Sequence, residues 1–193
     1  MAARRAGSFV RLAQHRGTLP CVEVGNAAIT VAITTGGGHI ASVTNPQCTA
    51  SGGLVNPLWQ PPWPTAPPSL RRLQSLLPDF ATDDAADNAE AELLSSILGH
   101  NLCLDVFGAH SEGEREHGGA CFHGEAGQVE WEVTSVDADA GHVELRALLP
   151  HAQLMVTRSV SASPCGAPVV RVEERLTNLT GVDRALGVRA SSS

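Results

Sequence analysis

From Val129 onward the chain alternates apolar and polar residues with a period of two. Val129, Trp131 and Val133 alternate with Glu130, Glu132 and Thr134. Val143, Leu145, Ala147 and Leu149 alternate with Glu144, Arg146 and Leu148. Leu154 and Val156 alternate with Met155 and Thr157, and Val170, Val172, Glu174 and Leu176 with Arg171, Glu173, Arg175 and Thr177. Successive side chains of a strand point to opposite faces, so each run gives one apolar and one wet face. The breaks are Asp-Ala-Asp-Ala-Gly at 137–141, Pro150, and Ser-Pro-Cys-Gly-Ala-Pro at 163–168, all turn chemistry. Short strands one turn apart, each with a wet face, predict an all-β antiparallel β-sandwich meander and not a parallel α/β sheet.

Upstream, Ala27–Ile33 is rich in β-branched residues and reads as a strand. Thr34–Gly38 breaks it with three successive glycines, Ile40–Val43 resumes it, and Asn45-Pro46 turns the chain. The glycine run is not G-x-G-x-x-G and no clear helix follows, so it predicts a bulge or tight turn rather than a phosphate cradle. Six prolines in Leu54–Pro68 forbid a ladder or helix there. Ala89, Leu93, Leu94, Ile97 and Leu98 follow a helical period, predicting a short helix that ends at Gly99, with acidic residues before its start. Beyond Asn178-Leu-Thr-Gly, Asp183–Arg189 reads as a further strand.

With 193 residues, 42% hydrophobic and 17% charged, the chain fits one globular domain or a large piece of one. A net charge of −7 argues against nucleic-acid and membrane-surface partners, which need basic patches. No apolar run reaches spanning length. The five cysteines are widely spaced and form no C-x-x-C, which disfavours a disulfide framework or Cys-rich zinc site and suits reduced thiols in the cytoplasm. The first 17 residues carry four Arg and no acid precedes Glu23, which reads either as an organelle transit peptide or as an edge segment of the domain.

The densest chemistry lies between Gly99 and Trp131. It holds His100, His110, His117 and His123 with Glu112, Glu114, Glu116 and Glu125, among many small residues. His123-Gly124-Glu125 follows Gly-Gly-Ala-Cys-Phe, whose small side chains let a ligand approach. A histidine beside a carboxylate can move protons near neutral pH; alternatively His123 is hydrogen-bonded within the core. His110, Glu114, His117 and His123 are residue types that bind Zn, Mn or Fe, but they match no H-E-x-x-H or H-x-H spacing. Trp59 and Trp63 either plug the end of a core or offer a flat platform for a sugar ring.

Taken in order, GGGHIASV at 36–43, NPLWQPPWPT at 56–65, GHNLCLDVFG at 99–108, HGEAGQVEW at 123–131 and VEERLTNLTGVDR at 172–184 resemble the aldose 1-epimerase (galactose mutarotase-like) superfamily. Each segment is weak alone; their order and spacing carry the resemblance. It implies a large β-sandwich, a sugar held in a groove on one sheet, and interconversion of aldose anomers without a cofactor. That reaction needs a base for the anomeric hydroxyl and an acid for the ring oxygen. The family's His-Gly histidine maps to His123, the expected catalytic residue; Trp59, Trp63 and Glu125 are candidate substrate-binding residues, and no metal is implied. The resemblance also places a second histidine just after the segment 172–184 and a carboxylate later still. Leu186–Ser193 contains no histidine, so residues 1–193 are expected to form the N-terminal portion of such a fold. The expected partner is a small sugar. A non-catalytic sugar-binding remnant and a metal-dependent cupin-like enzyme are the alternatives.

Overall fold

A computed structural model describes residues 7–50, 53–65, 97–104, 108, 116–117 and 123–192, the last four without side-chain environment. Among these residues every regular element longer than three residues is a strand. In chain order they are β1 (Phe9–His15), β2 (Leu19–Asn26), β3 (Ile29–Thr34), β4 (Ile40–Thr44), β5 (Thr49–Ala50), β6 (Gly53–Leu54), β7 (His100–Leu104), β8 (Glu132–Asp137), β9 (His142–Leu149), β10 (Leu154–Ala162), β11 (Val170–Asn178) and β12 (Val188–Ser192). Among the described residues a 3₁₀ turn occupies Ala126–Gln128.

Six strands form one antiparallel sheet in the order β1-β2-β3-β4-β7-β12. Four form a second in the order β11-β10-β9-β8, a meander in which each strand pairs with its sequence neighbour. β5 and β6 make a small separate hairpin. β1 turns into β2 through Arg16 and Gly17, both with positive φ (52° and 77°), the backbone twist that suits a tight hairpin.

The alternation in the sequence becomes burial. β10 is buried at every second residue from Leu154 to Ala162, and β9 buries Val143, Leu145, Ala147 and Leu149. Val143, Leu145, Ala147, Leu149, Leu154, Val156 and Val160 share one cluster with Val22, Val24, Val31, Ile33, Ile40, Leu102 and Leu104 of the six-stranded sheet. The two sheets therefore close a common apolar layer, the arrangement of a β-sandwich. Leu19, Ala41 and Leu98 form a second, smaller cluster.

The glycine run is a tight turn that clips the sheets together. Gly37 and Gly38 have φ of 75° and 60°. The Gly37 N–H donates to Val129 O at 2.8 Å, the Trp131 N–H donates to Thr35 O at 2.7 Å, and Gly36 bridges Glu130. These bonds correct the strand expected from Val129. Val129–Trp131 cross to the glycine turn, and the ladder with β9 begins only at Glu132. The strand expected over Asp183–Arg189 likewise begins later, at Val188, where Leu104 becomes available as ladder partner. Before it, the Arg184 guanidinium donates to Ala152 O at 2.7 Å and holds irregular chain. The helix expected over Ala89–Leu98 lies outside the described residues except for Ile97 and Leu98, which are irregular and lead into β7. Cys21, Cys48 and Cys165 are free thiols. No described helix is long and apolar enough to cross a membrane.

Candidate functional site

His123 sits just beyond β7 in a left-handed backbone conformation, φ 64°. A non-glycine residue there is held by its surroundings. Two reciprocal bonds do the holding: the His123 N–H donates to Gly108 O at 2.7 Å, and the Gly108 N–H donates to His123 Nδ1 at 2.7 Å. Nδ1 is thus an acceptor, so the proton of the neutral ring resides on Nε2. Gly124 follows with φ 84°, and a β-carbon there would stand 2.3 Å from Leu104 O. Only glycine lets this backbone press against the end of β7, which explains the His-Gly pair locally.

Glu125 is buried, at 3% exposure. Its Oε2 accepts the N–H groups of His151 and Ala152, each at 3.1 Å, and so fastens the turn between β9 and β10. Burial pushes its carboxyl above the ordinary carboxylate range, against the opposing pull of these two N–H groups and the His151 imidazole. The His151 ring reaches His117 O at 3.1 Å, and Gln153, itself at φ 50°, pairs with the His117 ring. This turn, His117 and Glu125 are therefore one hydrogen-bonded unit.

Trp59 and Trp63 form an edge-to-face pair with centroids 5.7 Å apart and planes at 67°. Both are half-buried. Their segment is sewn to β4 and to the β1–β2 hairpin. Asn56 Nδ2 donates to Ala41 O at 3.1 Å, Gln60 Nε2 donates to Ala41 O at 2.7 Å, and Arg16 donates to Pro61 O at 2.9 Å. Trp59 O accepts the N–H of Gly99, at the start of β7. His123 and Gly124 pack beyond its other end, at Leu104. Five strand residues separate these backbone anchors by about 16 Å. The tryptophans and His123 thus stand at opposite ends of β7, which chain order alone does not reveal.

The chain matches no family model, no curated protein and no solved structure. The site is accordingly read from its own residues. His110 and Glu114 of the possible metal set lie outside the described residues, and no group of three His, Cys, Asp or Glu side chains is placed to hold a metal among those described. Surface hollows lie elsewhere among the described residues. One, about 260 Å³, lies on the wet face of the four-stranded sheet between Glu144, Thr157, Ser159, Glu173, Glu174 and Arg175. Another, about 410 Å³, is apolar and lies between Ile29, Val43, Cys48, Val55 and Pro168. Neither is lined by His123, Glu125, Trp59 or Trp63.

A second polar cluster escaped the sequence reading. Arg158 of β10 is fully buried and pairs with Glu174 of β11 at 2.6 Å. Its guanidinium lies 4.7 Å from the Trp131 ring centroid and donates to Gly38 O. His100 of β7 is close enough to feel both charges. Burial first, and then the Arg158 charge, hold its pKa below the usual value, with Glu174 partly offsetting them. Its Nδ1 is buried without a hydrogen-bond partner among the described residues. A signal for this cluster was present: Glu174 occupies the apolar register of its strand, and Arg158 continues the register of Leu154 and Val156 one strand away.

Proposed function

We propose that the chain binds carbohydrate and supplies His123 as one of the two proton-transfer residues of an aldose 1-epimerase-like interconversion of anomers, which proceeds where the second group is also supplied. One observation carries the proposal: the lock between His123 and Gly108, which fixes the imidazole and assigns its neutral proton to Nε2. A positioned Nε2–H is what donation to a sugar oxygen needs, and each such group contributes on the order of 10²–10⁴-fold. The ordered resemblance of five segments to the aldose 1-epimerase superfamily supplies the reaction. Glu125 supports the turn packed with the loop, and Trp59 and Trp63 belong to a separate part of the surface. No cofactor enters the chemistry, and cytoplasmic location accords with the free thiols.

The test is exchange NMR on a panel of aldoses, following α-to-β conversion directly. The wild-type chain is expected to bind an aldose saturably, and where the second proton-transfer group is supplied His123→Ala is expected to remove about 10²-fold or more of the acceleration. Saturable sugar binding by calorimetry with only the uncatalysed exchange rate would favour a binding module without catalysis. Neither binding nor exchange with any aldose would defeat the proposal.

A further inference from the structure

We propose that β11 is a dimerisation edge, pairing antiparallel with β11 of a second copy of this chain. Among the described residues β11 pairs only with β10, and no other described strand forms a ladder along its second edge. The strand is nine residues long, keeps an unbroken register with β10, and contains neither proline nor glycine. Most of it is exposed, including the apolar Val172 at 39%. Long edges of this kind are templates for a further strand unless their charges repel it.

Here the charges are ordered so that they attract a copy of themselves. A two-fold axis through Glu174 keeps each residue's face and sets Glu173 opposite the partner's Arg175, twice over. It sets Val172 opposite the partner's Leu176, also twice. Arg171 then faces Thr177, and Val170 faces Asn178. Opposite charges and apolar pairs directly across a ladder are the stabilising combinations. Sliding the axis by one residue either way instead opposes Glu173 to Glu173 or Arg175 to Arg175. The register is therefore selected as well as allowed.

Two details fit. Glu174 would face its own copy at the axis, which would repel, but Arg158 of the same chain already neutralises it at 2.6 Å. Glu173 is also paired with Arg171 along its own strand, so in the dimer its carboxylate would lie between two guanidinium groups. The product is a continuous eight-stranded sheet with the apolar register on one face throughout. Such closure by a two-fold axis is the commonest symmetry of soluble oligomers.

Sedimentation equilibrium on the full 193-residue chain tests the proposal. The wild type should sediment as a dimer of about twice 20.1 kDa. Glu173→Arg or Arg175→Glu alone places like charges at both pairs and should weaken association by roughly tenfold or more. Mixing the two variants restores both attractions, so a heterodimer should form where neither variant dimerises alone. Circular dichroism checks that each keeps its strand content. As a measurement independent of charge, mild oxidation should cross-link E173C/R175C chains to each other, but not E173C or R175C alone. A monomer at all concentrations, a dimer indifferent to both reversals, or a mixture that fails to associate would each overturn it. None of these outcomes depends on sugar binding.

Discussion

Gly124 and Glu125 show how two adjacent residues fix a loop by different physics. Gly124 is required by shape, because its φ of 84° and the 2.3 Å approach to Leu104 O both exclude a β-carbon. Gly124→Ala is expected to cost about 1–3 kcal/mol in urea unfolding, and an unchanged midpoint would refute the tight approach. Glu125 is required by hydrogen bonding, through the two N–H groups it accepts. Its carboxyl is raised by burial, so the folded state holds the proton more tightly than the unfolded state does. The resulting stabilisation is complete below the unfolded pKa and is lost as pH rises through the folded one. Wild-type stability minus that of Glu125→Gln should therefore fall as pH climbs out of the ordinary carboxylate range. Taking the difference cancels the opposite slope from His100, whose lowered pKa makes stability fall as pH drops below its usual value. A flat difference would mean that Glu125 titrates alike in both states.

At the level of elements, β10 and β11 are joined by more than their ladder. Arg158 carries its charge into an apolar layer, over Trp131, and meets Glu174 at the exposed edge of that layer. Removing Glu174 leaves the fully buried guanidinium without its counter-charge in a dry place. Glu174→Ala is expected to cost about 3–5 kcal/mol. Replacing both residues by Leu should cost much less, since the pair's attraction is largely spent on its own desolvation. Denaturant midpoints of the three chains decide this, and equal losses in the single and double variants would contradict it. Within the meander β8–β11, β9 and β10 were legible in the sequence because each has one buried and one wet face, which writes a period of two. β2 was not, because it buries residues on both faces and shows no clean alternation. The partnership of Arg158 with Glu174 needed the register between their strands as well as the pattern within each.

Across the whole molecule, the sandwich followed from local pattern while the site depended on distant pairings. His123 was conspicuous for its neighbours Gly124 and Glu125, but its lock to Gly108 joins positions 15 apart that no periodicity links. Trp59 and Trp63 read as companions to His123 until β7 set them at its opposite ends. One long pairing has a consequence during synthesis. Gly38 waits for Arg158, 120 positions later. At roughly 5–20 residues per second, a ribosome needs about 6–24 s to cover that interval. Meanwhile β1–β4 have emerged with Val22, Val24, Val31 and Ile33 uncovered by the sheet that will bury them. For those seconds the nascent chain exposes apolar surface of the kind that chaperones shield.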